Sequence, residues 1–214
     1  MEFAKADFDL FDREVSLTLN KSKTSTHQKQ FSGWKRIIRW AGKNGNISKW
    51  LSQPMYQQTF NRSWELDEWL EFAQSFWCAY RNEAHPNQNA CLAALINQKQ
   101  YQVYFMFQHY KSGQRSGSLA AYNDLRWQIE EWSKDKNLAD YYIWPQVEHE
   151  LEDHCPLAVY LSEPQKQRQL EEKLQGRSFQ IGKLWFPSES IEDVERLTTE
   201  ALEELSPLYF SLTR

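Results

Sequence analysis

The densest run of ligand-type side chains is Glu148-His149-Glu150-Leu151-Glu152-Asp153-His154. Imidazoles beside carboxylates are the donor set of divalent-metal hydrolases. A zinc helix of that kind needs two histidines four residues apart, with a glutamate next to the first. Here Asp153 stands four after His149, and His154 comes one step later. On a helix, five residues of separation turn two side chains about 140° apart. His149 and Asp153 still offer an imidazole and a carboxylate on one face. Glu148 and Glu152 form a second pair, of a type that holds Mg²⁺ in nucleases. These four residues are the catalytic candidates of a metal-dependent hydrolase or nuclease. The other reading is a solvated acidic turn with Val147 and Leu151 packed inward, since charge runs usually face water.

Other catalytic patterns are incomplete. No Glu-x-Lys falls on a predicted strand, and the chain has no Gly-rich phosphate loop or Gly-x-Ser-x-Gly elbow. Cys155 adjoins His154, but neighbours on an extended chain point to opposite faces. His109 and Tyr110 end a predicted strand, where a lone histidine is more often structural than functional. The expectation therefore leans away from an enzyme, with no cofactor and no metal site. Three widely spaced cysteines, Cys78, Cys91 and Cys155, make no pair motif and suit a reduced, cytoplasmic setting.

The charge distribution is uneven. Between Glu14 and Glu65 there is no acid, while Lys21, Lys23, Lys29, Lys35, Arg36, Arg39, Lys43, Lys49 and Arg62 give that window a formal +9 in a chain of net −4. Lys29, Lys35, Arg36, Arg39, Lys43 and Lys49 are the nucleic-acid-binding candidates. Their charge would displace counterions from phosphates and make affinity salt-sensitive. Trp34, Trp40 and Trp50 are interleaved with them and could stack bases. An acidic protein partner, or docking of these cations against the chain's own acids, are the other readings.

Two short stretches resemble known motifs. Ile37-Ile38-Arg39-Trp40-Ala41-Gly42-Lys43-Asn44-Gly45-Asn46-Ile47 and its continuation to Leu51 are similar to a helix-turn-helix. Ala41 and Gly45 stand four apart as its small residue and turn glycine do, and Leu51 matches an apolar anchor. Asn46 takes a usually apolar place, and Pro54 shortens the would-be recognition helix. Arg81-Asn82-Glu83-Ala84-His85 resembles the Arg…His pair that ends a long helix in HEPN ribonucleases, with one residue fewer between the two.

The elements that would position these groups follow from periodicity. Phe8, Phe11, Val15 and Leu19 repeat at helical spacing, as do Phe31, Trp34, Ile38 and Ala41. A short helix is predicted over 47–53, and a long one over 64–81, with Ser63 as N-cap. Cys91–Ile96 and Tyr101–His109 flank a polar Asn-Gln-Lys-Gln turn and predict a β-hairpin. A helix is expected over 119–133, strands over 141–144, 157–161 and 179–186, and one or two helical turns over 146–154. A polar helix is expected to open with a capping box of Ser162 and Gln165 and to end at Gly176. The last helix carries Ile191, Val194, Leu197, Ala201 and Leu205 and stops before Pro207.

The expected fold class is α+β, a helical N-terminal third followed by a mainly antiparallel sheet covered by helices. A doubly wound parallel sheet is the alternative. One domain spans 1–214, with a helical subdomain about 1–84 and an α+β part about 85–214. No stretch is long and apolar enough to span a membrane, and the N-terminus lacks the pattern of a secretory signal. The expected function is that of a soluble intracellular binding protein contacting nucleic acid or another acidic partner through the basic segment. The alternatives are a protein–protein interaction module (an inhibitor, immunity or accessory factor) and the hydrolase. Oligomeric state and biological process are left open.

Overall fold

A computed structural model describes residues 2–9, 55–59, 75–110, 112–146, 154–188 and 190–212, with backbone alone for 55–59 and 75–77. Its centre is one sheet. The strands are β1 (Met55–Thr59), β2 (Ser75–Asn82), β3 (Ala90–Asn97), β4 (Tyr101–Phe107), β5 (Tyr141–Pro145), β6 (Cys155–Pro156) and β7 (Phe179–Trp185). They lie in the order β1-β2-β3-β4-β7-β5-β6, and every pairing is antiparallel.

The β3–β4 hairpin forms where the sequence places it. Asn97 Oδ1 accepts from the Lys99 and Gln100 amides, each at 2.9 Å, and closes the turn. Such local side-chain bonds are the reason Asn favours turns. Strand β7 inserts between β4 and β5, which makes it interior. At Gly182 a Cβ would lie 2.2 Å from the Val103 carbonyl oxygen and 2.5 Å from Tyr104 Cα, so β7 approaches β4 closely only because that residue is glycine.

The helices are α1 (Lys5–Phe8), α2 (Leu119–Asp124), α3 (Ile129–Ser133), α4 (Leu157–Ser162), α5 (Pro164–Lys173) and α6 (Val194–Phe210). A 3₁₀ turn, Leu125–Gln128, joins α2 to α3. Helix α6 buries Val194, Thr198, Ala201, Leu202, Leu205 and Leu208, a helical stripe, against β3 and β4. Phe3 pairs with Ile191 through two backbone bonds and packs edge-on to Tyr101. The main core lies between these helices and one face of the sheet. No helix among the described residues is long and apolar enough to cross a membrane.

The helical N-terminal third is not what the structure shows. Two strands, β1 and β2, fall within the subdomain expected to be helical, about 1–84, and the end of the helix predicted over 64–81 is strand. Within β2, Phe76–Tyr80 is a continuous apolar and aromatic run that fits either period, and pairing to β3 decides it. The helices expected over 11–19, 31–41 and 47–53, the start of the one over 64–81, and the turns over 147–153 lie outside the described residues.

Three smaller expectations are also corrected. Residues 157–162 form α4 where a strand was expected, with Pro156 supplying the N-cap. Helix α5 begins after Glu163 with no side-chain cap, because Ser162 Oγ donates to the Val159 carbonyl at the end of α4. Helix α6 runs through Pro207 to Phe210. Proline there leaves the Glu203 carbonyl without its helical donor, and Ser206 Oγ supplies one at 2.9 Å.

Candidate functional site

Neither set of residues singled out for function lies in the described part. Lys29, Lys35, Arg36, Arg39, Lys43 and Lys49 are outside it, as are Glu148, His149, Glu152 and Asp153. Among the described residues no group of three or more His, Cys, Asp or Glu is placed to hold a metal ion.

The described chemistry gathers in three places. The first is the sheet end where β4 stops and β7 starts. His109 Nε2 lies 3.2 Å from Ser178 Oγ, and Ser178 Oγ donates to Gln146 Oε1 at 2.7 Å. A serine beside a histidine suggests a nucleophile and its base. The directions deny it. The serine proton is committed to Gln146, so His109 donates to the serine oxygen, and Ser178 is fully buried. Burial also lowers the His109 imidazole below its ordinary value, which favours the neutral ring.

The second lies beside it. Arg81, at the end of β2, is fully buried. Its Nε donates to the Gln88 carbonyl at 2.8 Å, and its terminal nitrogen to Gln108 Oε1 at 2.5 Å. The Arg81…His85 resemblance therefore fails on geometry: Arg81 ends a strand with its guanidinium inside the protein, and His85 sits in an exposed turn. Asn89 Nδ2 ties the 112–117 loop to this corner through the Ser112 and Gly117 carbonyls. Gln88 Oε1 and Asn89 Oδ1 are buried without a hydrogen-bond partner among the described residues.

The third is a cleft of about 400 Å³ at the β6 edge. Strands β5 and β6 supply Ile143, Pro145, Cys155 and Pro156, and helix α4 supplies Val159 and Tyr160. Helix α5 turns Lys166, Gln169, Leu170 and Lys173 toward it, which are one face at i, i+3, i+4 and i+7. His154 lines it too, packed edge-on to Trp144 with centroids 4.8 Å apart. His154 Nε2 lies 3.4 Å from Gln100 Nε2. Cys155 Sγ contacts the Pro156 carbonyl at 3.6 Å. Burial pushes the Cys155 thiol up, against a smaller opposing pull from Lys166, so the thiolate is disfavoured. Cys78 and Cys91, both buried, are pushed up to about 11 by burial.

What the cleft can do is bind. Its size is that of a small-molecule site, and it combines an apolar floor with a few polar groups. Sequence reading passed over Tyr160 and Lys166. The signal was present in the α5 spacing, where two lysines seven apart flank Leu170. It was hidden for Tyr160, since the segment expected as a strand is a helix.

The chain belongs to a protein family whose model matches residues 3–212. No curated protein matches it.

Proposed function

We propose that the protein works by binding an acidic partner, nucleic acid foremost, through the basic segment between Glu14 and Glu65. The observation that carries this reading is the acid-free stretch itself, nine cations without one carboxylate. Lys35, Arg36, Arg39, Lys43 and Lys49 are the phosphate-positioning cations, and Lys29 extends the set. Three free cysteines, two of them buried, fit a reducing, cytosolic setting.

Fluorescence anisotropy with labelled single-stranded and duplex DNA and RNA tests the proposal. Affinity should fall steeply between about 50 and 200 mM salt, as phosphate contacts require. Arg36→Glu with Arg39→Glu should abolish binding. Absent or salt-insensitive binding at low ionic strength ends the reading.

A second reading, a protein-interaction module, is supported by Trp127. It is 75% exposed in the 3₁₀ turn, with the Arg126 guanidinium 5.8 Å from its ring centroid. An exposed Trp is among the residue types that anchor interfaces. A protein that co-purifies with the wild type and is lost from Trp127→Ala would carry this reading. Unchanged recovery from the variant would remove it.

A further inference from the structure

We propose that the cleft between β5–β6 and α4–α5 is a binding site for a small organic anion, a carboxylate or phosphate carried on an apolar body. The argument is separate from the basic segment and does not need it.

Three observations converge. The first is chemical sorting of the walls. Ile143, Val159 and Leu170 are its apolar lining, Lys166 and Lys173 its cations, and among the described residues none of the lining carries a carboxylate. The second is Lys166. It is half-buried, and no carboxylate pairs with it among the described residues. A partly desolvated ammonium without a counterion is favoured by any anion that enters. The third is Tyr160. It is only 7% exposed, yet its hydroxyl makes no hydrogen bond among the described residues, while the side chain lines the cleft. The hydroxyl oxygen is not among the buried atoms left without a partner, so it reaches solvent and is free to donate to a ligand in the cleft. Burial holds the Tyr160 phenol above its ordinary value, the opposing pull of Arg126 being smaller. The group therefore stays protonated and can donate.

The ligand follows from this arrangement. An anionic head would take a charge-assisted bond from Lys166 and a second bond from Tyr160, and its apolar body would lie on Ile143, Val159 and Leu170. About 400 Å³ suits a single small molecule and is small for a nucleic-acid strand.

The test is an NMR titration of the full-length ¹⁵N-labelled chain. Sodium octanoate and phenyl phosphate are the anionic probes, and 1-octanol and phenol their neutral counterparts. At least one anion should give saturable shifts confined to amides around 143, 155–160 and 166–173. Whether octanoate or phenyl phosphate binds the tighter identifies the head group. The neutral counterpart should bind about tenfold more weakly, the loss expected for one charge-assisted bond. Lys166→Met should weaken the anion by a similar factor, Lys166→Arg should largely restore it, and Tyr160→Phe should weaken it a few-fold. The proposal is overturned if neither anion saturates, if shifts fall outside the cleft, if the neutral probe binds equally well, or if a folded Lys166→Met binds as the wild type does. Should Lys166→Met fail to fold, the anion–neutral comparison on the wild type decides alone.

Discussion

The two faces of the sheet are built from the same strands and from opposite materials. One row on the helix-covered face crosses it as Tyr80, Leu92, Phe105, Ile181 and Ile143. The adjacent row, on the other face, is Ala79, Ala93, Tyr104, Gly182 and Tyr142. The first row is large and apolar. The second is small wherever it is not tyrosine. Beyond it on that face lie Cys91, Met106, Gln180 and Trp144, with Gln102, Gln108 and Arg81 buried nearby. Polar groups on the first face are closed off in pairs. Tyr101 Oη meets Thr198 Oγ1 at 2.6 Å, and Glu204 takes Lys183 at 2.7 Å and the Tyr141 hydroxyl at 2.5 Å. The first face holds the fold by area and packing. The second holds amides, a guanidinium and small residues, which contribute little by area and demand partners.

The largest expected effect tests the close approach on the second face. Gly182→Ala should cost more than about 3 kcal/mol, because the new Cβ meets backbone atoms of β4 that no rotamer change can move. Equilibrium urea unfolding measures it. A loss under about 1 kcal/mol would mean that β7 sits farther from β4 than described.

Next comes the buried guanidinium. Arg81→Met should cost about 2 to 3 kcal/mol, since it removes the donors to the Gln88 carbonyl and Gln108 and leaves both acceptors dry. Arg81→Lys should recover only part, because one ammonium cannot reproduce the fork. A neutral Arg81→Met would show that the second face tolerates an apolar replacement as the first does.

A smaller effect belongs to the first face and depends on pH. Burial would raise the Glu204 carboxyl, but the Lys183 ammonium and the Tyr141 hydroxyl outweigh it and hold the group below its usual 4.5. The folded state therefore releases this proton more readily than the unfolded chain. Its stabilising share is complete above the usual value and is lost as pH falls through the lower folded value. Unfolding midpoints between about pH 7 and 3 should drop less steeply for Glu204→Gln than for the wild type. Parallel curves would remove Glu204 from the acid response.

How much of this was legible depended on whether one period dominated a segment. Tyr101–Phe107 is itself a nearly unbroken apolar run, buried at every position, and the polar turn at Asn97 that joins it to a second such run is what specified the hairpin. Val194, Ala201 and Leu205 specified α6. Phe76–Tyr80 and Leu157–Ser162 are short, nearly unbroken apolar runs whose period is undefined, so tertiary pairing chose strand for one and helix for the other. Pro207 looked like a stop because the rescue by Ser206 is a local bond invisible to periodicity. The buried Arg81 was also hidden, since nothing in its neighbours marks a charged side chain for the interior. The cleft was half legible: α5 announced one face with two lysines, but its opposite wall requires β6 to fold back onto β5.

The smallest expected effect separates the faces most cleanly, because it compares one residue type in both settings. Trp132, on the helix-covered side, donates its Nε1 proton to the Glu204 carbonyl at 2.8 Å. Trp144, on the other face, is fully buried, and among the described residues its Nε1 has no hydrogen-bond partner. Trp→Phe removes a similar volume at each site. At Trp132 it also removes a satisfied bond, so a loss of about 1 to 2 kcal/mol is expected. At Trp144 the cavity term of about 1 kcal/mol is offset by relief of the stranded donor. The net change there should lie within about 0.5 kcal/mol of zero. A Trp144→Phe loss equal to that of Trp132→Phe would show that the second indole is hydrogen-bonded in solution, and that the two faces satisfy their polar groups alike.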